Sequence, residues 1–332
     1  MKIYLFSFTD TGAAVCERLA RRFDECIICE KPVTEAFIAE AFCKSNALVF
    51  VGALGIAVRK IAPHIVSKQT DPAVIVIDEL GQHVIPVLSG HIGGANGLAH
   101  KLAAFLGARA IITTATDLHG KFAVDTWAVR SGLAIMNAEA VKHVSGAVLR
   151  DETVGVISDF PMENEPPPGV ASGAAKTGIC ISLDGAVRTF ENTLWLAPKC
   201  IVIGMGCRRD APQGDCEALL DEMLAGLGIP REAISAVATI DIKKDEAALL
   251  GLCESLGCGF YTYSAAELRA VRGDFAESRF VLEKTGVGNV CERAAAVASG
   301  GGRILCRKTA KNGVTIAVAQ ADFIVRWQHA GL

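Results

Sequence analysis

The sequence predicts an α/β protein with more than one domain. Apolar runs of strand length alternate with longer segments of helical periodicity, an order that builds mostly parallel sheets covered by helices. Glycine-rich turns join several of these apolar runs to the helical segment that follows, as at 52–55 and 89–94. With 332 residues, the chain is also longer than one typical domain.

The first predicted domain covers residues 1–120 and contains a mixed sheet. Its elements are expected in this order: a strand at 2–8, a helix at 12–23, a helix at 34–44, a strand at 47–53, a helix that opens at Gly55, a hairpin at 73–90 with its turn at 79–82, a helix at 96–106 and a strand at 110–114. The hairpin places one antiparallel pair in a sheet that the strand–helix alternation otherwise makes parallel.

The rest of the chain divides into a middle region and a second domain. Residues 121–198 show weaker periodicity and include the proline-rich PMENEPPPG, which is expected to form a loop. Residues 199–326 return to alternation and are predicted to form a compact C-terminal α/β domain. Its last two strands flank Asn312-Gly313, a pair that suits a type I′ hairpin turn.

Composition and charge limit the classes of function. The formal net charge is −3 and no basic block occurs, so nucleic acid is not an expected partner. The opening MKIYLFSFTDTG has the pattern of a strand and turn, not of a signal peptide, and no apolar segment approaches the length of a membrane span. The sequence therefore predicts a cytoplasmic protein without a membrane partner.

Most of the twelve cysteines are interpreted as core residues. Cys26 and Cys29 form a CxxC, but CIIC has the character of an apolar strand and no second pair lies nearby. Most of the others fall among alanine and leucine in helical patterns, as small buried side chains do. No metal site of the protein is predicted.

Residues 89–117 form the strongest candidate site. A glycine turn is followed by a helix and then by a polar segment that is predicted to end a strand. Helix starts carry unpaired N–H groups and bind anions, and glycine permits close approach. The turn matches neither a Walker A loop nor GxGxxG, and a purely structural tight turn remains an alternative. The candidate residues are Ser89, His91, Gly93, Gly94, Asn96, Thr114 and Asp117.

Other glycine turns and charges could share a ligand with this site. GALGIAVRK at 52–60 contributes Gly55 and Arg59, and GMGCRR at 204–209 contributes Gly206, Arg208 and Arg209. Amide-rich helix starts together with arginines suit a ligand that carries many carboxylates or phosphates. Solvated loop charges are the alternative interpretation.

Several motifs in order resemble the CbiG family, the cobalt-precorrin-5A hydrolases of anaerobic cobalamin biosynthesis. The N-terminal motifs are GALGIAVRKIAPHI, DELG, VIPVLSGHIGGAN and TTATD. The C-terminal motifs are LAPKCIVIGMGCRR, ATIDIKKDEAALL, TGVGNVCERAA and VTIAVA. The resemblance spans nearly the whole chain, and by family position it adds Asp241, Lys243 and Glu292 to the substrate-binding candidates.

The resemblance implies a reaction. The substrate is a ring-contracted cobalt tetrapyrrole, cobalt-precorrin-5A, in which a δ-lactone joins a ring A acetate to the methylated meso carbon. The enzyme opens the lactone and releases that carbon with its methyl group as acetaldehyde, which gives cobalt-precorrin-5B. The substrate carries its own cobalt, so no cofactor of the protein is expected. A homo-oligomer or transient contacts with other enzymes of the pathway are expected as partners.

The chemistry suggests roles for the turn residues. Attack of water on a lactone needs a base and oxyanion donors. His91 is the candidate base because an ordinary histidine titrates near neutrality, and Asp117 orients it or acts as a second acid or base. Alternatively, His91 ligates the cobalt or only holds the turn. At the level of the whole protein, the alternatives are a non-catalytic corrinoid carrier, a nucleotide- or sugar-phosphate-binding α/β enzyme, and a scaffold protein.

Overall fold

The computed structural model describes residues 2–67, 70–186 and 189–327. The chain divides into two compact units, one that extends to Thr126 and one that starts at Trp127. Both are mixed α/β structures, as the sequence predicts.

The first unit contains one six-stranded sheet in the order β2-β1-β3-β4-β5-β6. The pairs β1–β2, β1–β3, β3–β4 and β5–β6 are parallel, whereas β4–β5 is antiparallel, so the predicted mixed sheet is confirmed. The elements are β1 Ile3–Ser7, α1 Asp10–Ala20, β2 Cys26–Ile28, α2 Glu35–Lys44, β3 Ala47–Val51, α3 Leu54–Ile61, β4 Ala73–Ile77, β5 His83–Leu88, α4 Ala95–Leu106, β6 Arg109–Ala110 and α5 Ala115–Leu118, followed by α6 Val124–Arg130.

Helices cover both faces of this sheet, which explains the continuous apolar runs in its central strands. In β1, Ile3 and Leu5 pack into a core with α1 and α4. Tyr4 and Phe6 point to the other face, where they pack with α2 and α3. Every residue of β1, β3 and β4 is buried because the strands have no face turned to water.

Strand direction decides which loops meet. Because β5 runs antiparallel to β4 and parallel to β6, the carboxyl ends of β5 and β6 lie together at the edge where β3 and β4 begin. The Oγ of Ser89, directly after β5, accordingly donates to the carbonyl of Asp71 just before β4, at 2.9 Å. The loops after β1, β3 and β4 emerge at the opposite edge.

The predicted strand at 110–114 is wrong in its extent. β6 contains only Arg109 and Ala110, and residues 115–118 form the short helix α5. β6 is an edge strand that pairs only with β5, so little holds the chain extended beyond Ala110. Thr116 and Asp117 are therefore helical residues rather than a strand end.

The second unit contains two five-stranded sheets and a two-stranded pair among the described residues. Their orders are β10-β8-β11-β12-β7, β15-β14-β13-β17-β16 and β18-β9. The elements are β7 Leu133–Ile135, α7 Val141–Leu149, β8 Val154–Ser158, β9 Met162–Glu163, β10 Val170–Ser172, β11 Thr177–Ile181, β12 Asn192–Pro198, β13 Ile201–Cys207, α8 Gln213–Leu227, β14 Ile234–Ile240, α9 Ala247–Leu256, β15 Gly259–Tyr263, α10 Ala265–Ala270, α11 Arg279–Thr285, α12 Val290–Ala298, β16 Arg303–Lys311, β17 Val314–Gln320 and β18 Val325–Arg326.

The middle region is more regular than its sequence pattern predicts. It forms the first of these sheets, together with α7. Two of its strands contain glycines that the ring of Phe190 covers, and a Cβ at Gly155 or Gly178 would lie 2.4 Å from that ring. Glycine in place of an apolar residue conceals the alternation by which a strand is recognised. The proline-rich stretch, as predicted, continues into a loop after β9.

The C-terminal elements follow the sequence closely. The alternation of β13, α8, β14, α9 and β15 is present, and β16 and β17 form the predicted hairpin. Asn312 has φ +52° and Gly313 has φ +77°, the two positive values that a type I′ turn requires. Parts of the middle region, including Ala134 and Leu183, pack against the core of this sheet.

Seven of the twelve cysteines are buried and four are half-buried, whereas the prediction of a core position is wrong for Cys43, which is exposed. All twelve are free thiols, and burial raises the pKa of Cys29 and of Cys200 to about 12. Within residues 2–67, 70–186 and 189–327, no group of three or more His, Cys, Asp or Glu is arranged to hold a metal ion. In the same described ranges, no helix has the length and apolar character needed to cross a membrane.

Candidate active site

The turn after β5 is closed by its own backbone. The N–H groups of Ala95 and Asn96 donate to the carbonyls of Ser89 and Gly90, and Gly94 donates to His91 at 3.0 Å. Gly94 has φ +80°, which favours glycine. The amide of Gly94 is thus already bonded within the turn, which corrects its expected role as a donor to a bound anion.

Gly93 is required for a different reason. A Cβ at this position would lie 2.4 Å from the Cβ of Ser89 and 2.9 Å from its carbonyl oxygen. Ser89 itself has φ +55°. Because Ser89 and Gly93 lie this close together, the chain between them forms a tight turn, and His91 is at its tip.

His91 lies between two carboxylates. Its Nε2 is 2.8 Å from Oδ2 of Asp117, and its Nδ1 is 3.1 Å from Oδ2 of Asp125. The side chain of His91 is 19% exposed, that of Asp117 27% and that of Asp125 11%. Because ionised carboxylates only accept hydrogen bonds, this geometry places a proton on both ring nitrogens.

Asp117 is held by further donors. Thr114 donates to its Oδ2 through Oγ1, and the Nδ2 of Asn96 donates both to that oxygen and to Thr114 Oγ1, each at 3.0 Å. No described residue bonds to Oδ1 of Asp117. One oxygen of this carboxylate is therefore fixed by protein groups, while the other can meet a ligand.

The pKa values of His91 and Asp117 are shifted in the directions that their hydrogen bonds require. The hydrogen bond to Asp125 raises the pKa of His91 to about 9, against the opposing effect of burial and with a further contribution from Asp117. Burial tends to raise the pKa of Asp117, but the bonds from Thr114 and His91 lower it below its ordinary value. At neutral pH the cluster is an imidazolium between two carboxylates.

This shift makes the stability of the fold depend on pH. His91 binds its proton more tightly in the folded chain, so its stabilising contribution is complete below the ordinary histidine pKa of 6.5 and is lost as pH rises through about 9. We therefore expect the melting temperatures of the protein and of its His91→Gln variant to converge between those two pH values. Thermal unfolding followed by circular dichroism at several pH values measures this, and a constant difference up to pH 10 would contradict it.

Asp125 is a member of the cluster that motif analysis missed. It stands in FAVDTWAV, where apolar residues flank a carboxylate on both sides, and Trp127 two positions later is fully buried. That pattern predicts a buried carboxylate, and a buried carboxylate requires a donor or cation. It does not say that the donor is His91, 34 residues earlier in the chain.

The other N-terminal candidates lie at the opposite edge of the sheet. Gly55 is in the first turn of α3, directly after β3, and Arg59 follows one turn later. The Nη1 of Arg59 is 3.5 Å from the Gly55 carbonyl. Because β3 ends at the edge away from the turn after β5, the fold does not bring the start of α3 to the His91 cluster.

The C-terminal candidates divide into strand residues and loop residues. Gly206 belongs to β13, where it pairs with Thr315 of β17, so it is part of the ladder rather than an open anion-binding loop. Arg208 and Arg209 follow as exposed side chains, and no ion pair to either occurs among the described residues.

The remaining three candidates have structural partners or lie at the surface. Lys243 forms an ion pair with Glu246 at 2.6 Å, and Asp241 begins the short turn that contains Lys243. Glu292 is 2% exposed and accepts the N–H of Lys308 at 2.7 Å. Glu292 thus links α12 to β16, which is a reason for its burial that needs no ligand.

The chain is similar to known proteins of cobalamin biosynthesis over nearly its whole length. Three family models match the chain: "Cobalamin synthesis G N-terminal" at residues 36–117, "Cobalamin biosynthesis central region" at 122–198 and "Cobalamin synthesis G C-terminus" at 201–319. The cobalt-precorrin-5A hydrolase of Salmonella typhimurium is 36% identical, with 96% of this chain and 97% of the relative covered. That of Priestia megaterium is 35% identical, with 82% and 78% covered. A crystal structure of a cobalamin biosynthesis protein G homolog from Sulfolobus solfataricus is 25% identical, covers 97% of each chain and has a TM-score of 0.43.

Proposed function

This chain belongs to the CbiG family, and we infer that it is a cobalt-precorrin-5A hydrolase. The observation that carries this conclusion is the 36% identity to a relative of that name over 96% of the chain. The reaction is the one the resemblance implies: opening of the δ-lactone and release of acetaldehyde. The alternative of a non-catalytic corrinoid carrier has no comparable support.

We propose that the His91 cluster performs the proton transfers. Hydrolysis needs a group that accepts a proton from the attacking water and a group that donates one to the departing lactone oxygen. Asp117 presents Oδ1 as the acceptor, and the imidazolium of His91 is the donor beside it. This proposal reverses the base role expected for His91, because a histidine with a pKa of about 9 already carries its proton at neutral pH.

The same pair suits the second step. Once the lactone is open, a proton leaves the hydroxyl on the meso carbon, the bond between that carbon and the ring breaks, and acetaldehyde forms. The electron pair of that bond remains on the macrocycle, which takes up a proton. Loss of one proton and gain of another at neighbouring positions fits an adjacent carboxylate and imidazolium.

The residues predicted to bind substrate are proposed to have different roles. Asn96 and Thr114 act on substrate through Asp117, since both bond to it. Ser89 and Gly93 shape the turn. That Arg208 and Arg209, two exposed cations of the second unit, bind acetate or propionate groups stays a prediction from the sequence. Arg59 lies at the sheet edge away from His91, so we propose no role for it in this cluster.

Several predictions from the sequence stay predictions. Cobalt enters with the substrate, held by four pyrrole-derived nitrogens, and we propose no cofactor of the protein. We also propose a cytoplasmic location and either a homo-oligomer or transient contacts with other enzymes of the pathway.

An exposed apolar side chain lies beside the cluster. Leu118 directly follows Asp117 in α5 and is 67% exposed. An aliphatic side chain next to a polar site can pack against the face of a flat macrocycle. We expect Leu118→Asp to raise KM about tenfold or more, because burial of one leucine is worth roughly 1.5–3 kcal/mol, with a smaller effect on kcat.

Leu80 provides the matched control for this variant. It is 68% exposed and lies in the β4–β5 turn at the opposite edge of the same sheet. Leu80→Asp should leave KM unchanged in the same steady-state assay. Equal effects of the two variants would show that Leu118 does not contact the substrate.

The enzyme assignment is tested by anaerobic incubation with cobalt-precorrin-5A. Acetaldehyde and the mass of the corrinoid are measured together, and one equivalent of acetaldehyde per corrinoid is expected. Tight binding of the substrate without acetaldehyde would instead support the carrier function.

A further inference from the structure

The two carboxylates that bond to His91 are not equivalent. Asp117 is the outer one, with a more exposed side chain and an oxygen to which no described residue bonds. Asp125 is the inner one. As a residue it is 8% exposed, and its Oδ1 accepts the N–H of Thr126 at 2.9 Å while its Oδ2 faces His91.

Asp125 is therefore unsuited to direct chemistry. Both of its oxygens are engaged by protein donors, and the imidazole ring stands between it and Asp117. Whatever Asp125 contributes to the reaction must pass through the Nδ1–H of His91.

Among the residues that the structure describes, the titratable groups that bond to the ring are these two aspartates, one from α5 and one from the first turn of α6. The hydroxyl of Thr116, 3.4 Å from Nε2, is a neutral neighbour. In the proposed reaction, the Nε2–H of His91 exchanges its contact with Asp117 for one with substrate, since Asp117 is the more exposed of the two carboxylates. The bond to the buried Asp125 holds the ring during this exchange.

We propose that Asp125 is a positioning residue for the hydrolysis: it fixes the ring through Nδ1 and keeps His91 protonated, so that Nε2 presents its proton beside Asp117. This inference rests on the proposed function of the His91 cluster and adds to it the residue that sets the protonation state. Bonding of an inner carboxylate to one nitrogen determines what the other nitrogen can do.

Replacement by asparagine separates orientation from charge. In the Asp125→Asn variant, the amide oxygen of the new side chain can still accept the Nδ1–H, so the ring keeps its place. The negative charge that favours the imidazolium is gone, and Asp117 alone remains to hold the proton.

The experiment follows the titration of His91 by NMR in the full-length chain without substrate. His91 is assigned by the resonance that disappears in His91→Gln. We expect its pKa to lie near 9 in the unmodified protein and to fall by at least about one unit, a tenfold loss of proton affinity, in Asp125→Asn. The kcat should fall roughly 10- to 100-fold with KM little changed, and the alkaline limit of the kcat profile should move to lower pH with the histidine.

A second His–Asp pair supplies the control. The Nδ1 of His83 lies 3.3 Å from Oδ2 of Asp78 in the turn at the opposite edge of the sheet. Asp78→Asn should change neither the titration of His91 nor kcat. An unchanged His91 titration in Asp125→Asn, or a His91 pKa near 6.5 in the unmodified protein, would overturn the proposal.

The titration also separates this inference from the proposed function. If the pKa of His91 depends on Asp125 as expected but the unmodified protein releases no acetaldehyde, the positioning contact exists and the assigned reaction is wrong. If acetaldehyde is released and the titration does not respond to Asp125→Asn, only the positioning role fails.

Discussion

His91→Gln is expected to lower the rate of acetaldehyde release by about 10²–10⁴-fold, the range over which one positioned acid or base contributes to catalysis. Glutamine can bond to one of the two aspartates, but it carries no transferable proton. The lost positive charge also leaves Asp117 and Asp125 facing each other without a cation between them. Single-turnover measurement with anaerobic substrate reports the chemical step, and equilibrium binding of the corrinoid reports whether the site is still formed.

His83→Gln is the matched control, because His83 also pairs with an aspartate but lies at the other edge of the sheet. Its rate should stay within about twofold of the unmodified protein. Turnover by His91→Gln at the unmodified rate would move the chemistry away from the β5–β6 edge.

Gly93→Ala is expected to have the second largest effect, on both folding and rate. The added methyl group would lie 2.9 Å from the carbonyl of Ser89, so backbone must move to make room. Forced overpacking costs about 1–3 kcal/mol of folding free energy, and the displaced turn carries His91 away from Asp117. We expect kcat to fall by about 100-fold or more, because a displacement of a catalytic group by about 1 Å can reduce the rate by that factor.

Gly55→Ala is the control for the stability measurement in the same unit. In α3, its added Cβ would meet only the Nη1 of Arg59, at an ordinary 3.7 Å. Alanine is a better helix former than glycine by about 1 kcal/mol, so this variant should melt at a higher temperature than the unmodified protein. A Gly93→Ala variant that melts and turns over normally would show that the turn has room the structure does not indicate.

The site was only partly predictable from the sequence. The turn at Ser89 and the polar segment ending at Asp117 were identified because glycine and short polar residues cluster after apolar strands. Their meeting follows from β5 and β6 being adjacent and parallel, which the β–α–β order already suggests. Two roles that the sequence predicts do not agree with the structure. The amide of Gly94 is bonded within its own turn instead of being open to an anion, and the start of α3, with Gly55, lies at the other edge of the sheet.

The middle region shows a second limit. Its strands are short and contain Gly155 and Gly178, which are accommodated because Phe190 lies over them. A local pattern of apolar residues cannot reveal a strand whose inward positions have no side chain. The partner that fills the space is at a distance in the chain, so the sheet emerges only when the fold is assembled.

What the residues establish without a structure is the α/β class, the hairpins, the family and, through the family, the reaction. These depend on local periodicity, on turn chemistry and on motifs that are contiguous in the chain. The protonation state of His91 depends instead on Asp125, a contact across 34 residues made by a helix outside the motif. Periodicity reports which side chains are buried, but not which buried charges face one another. That pairing in three dimensions keeps the proton on His91, and for this reason we propose the histidine as an acid rather than a base.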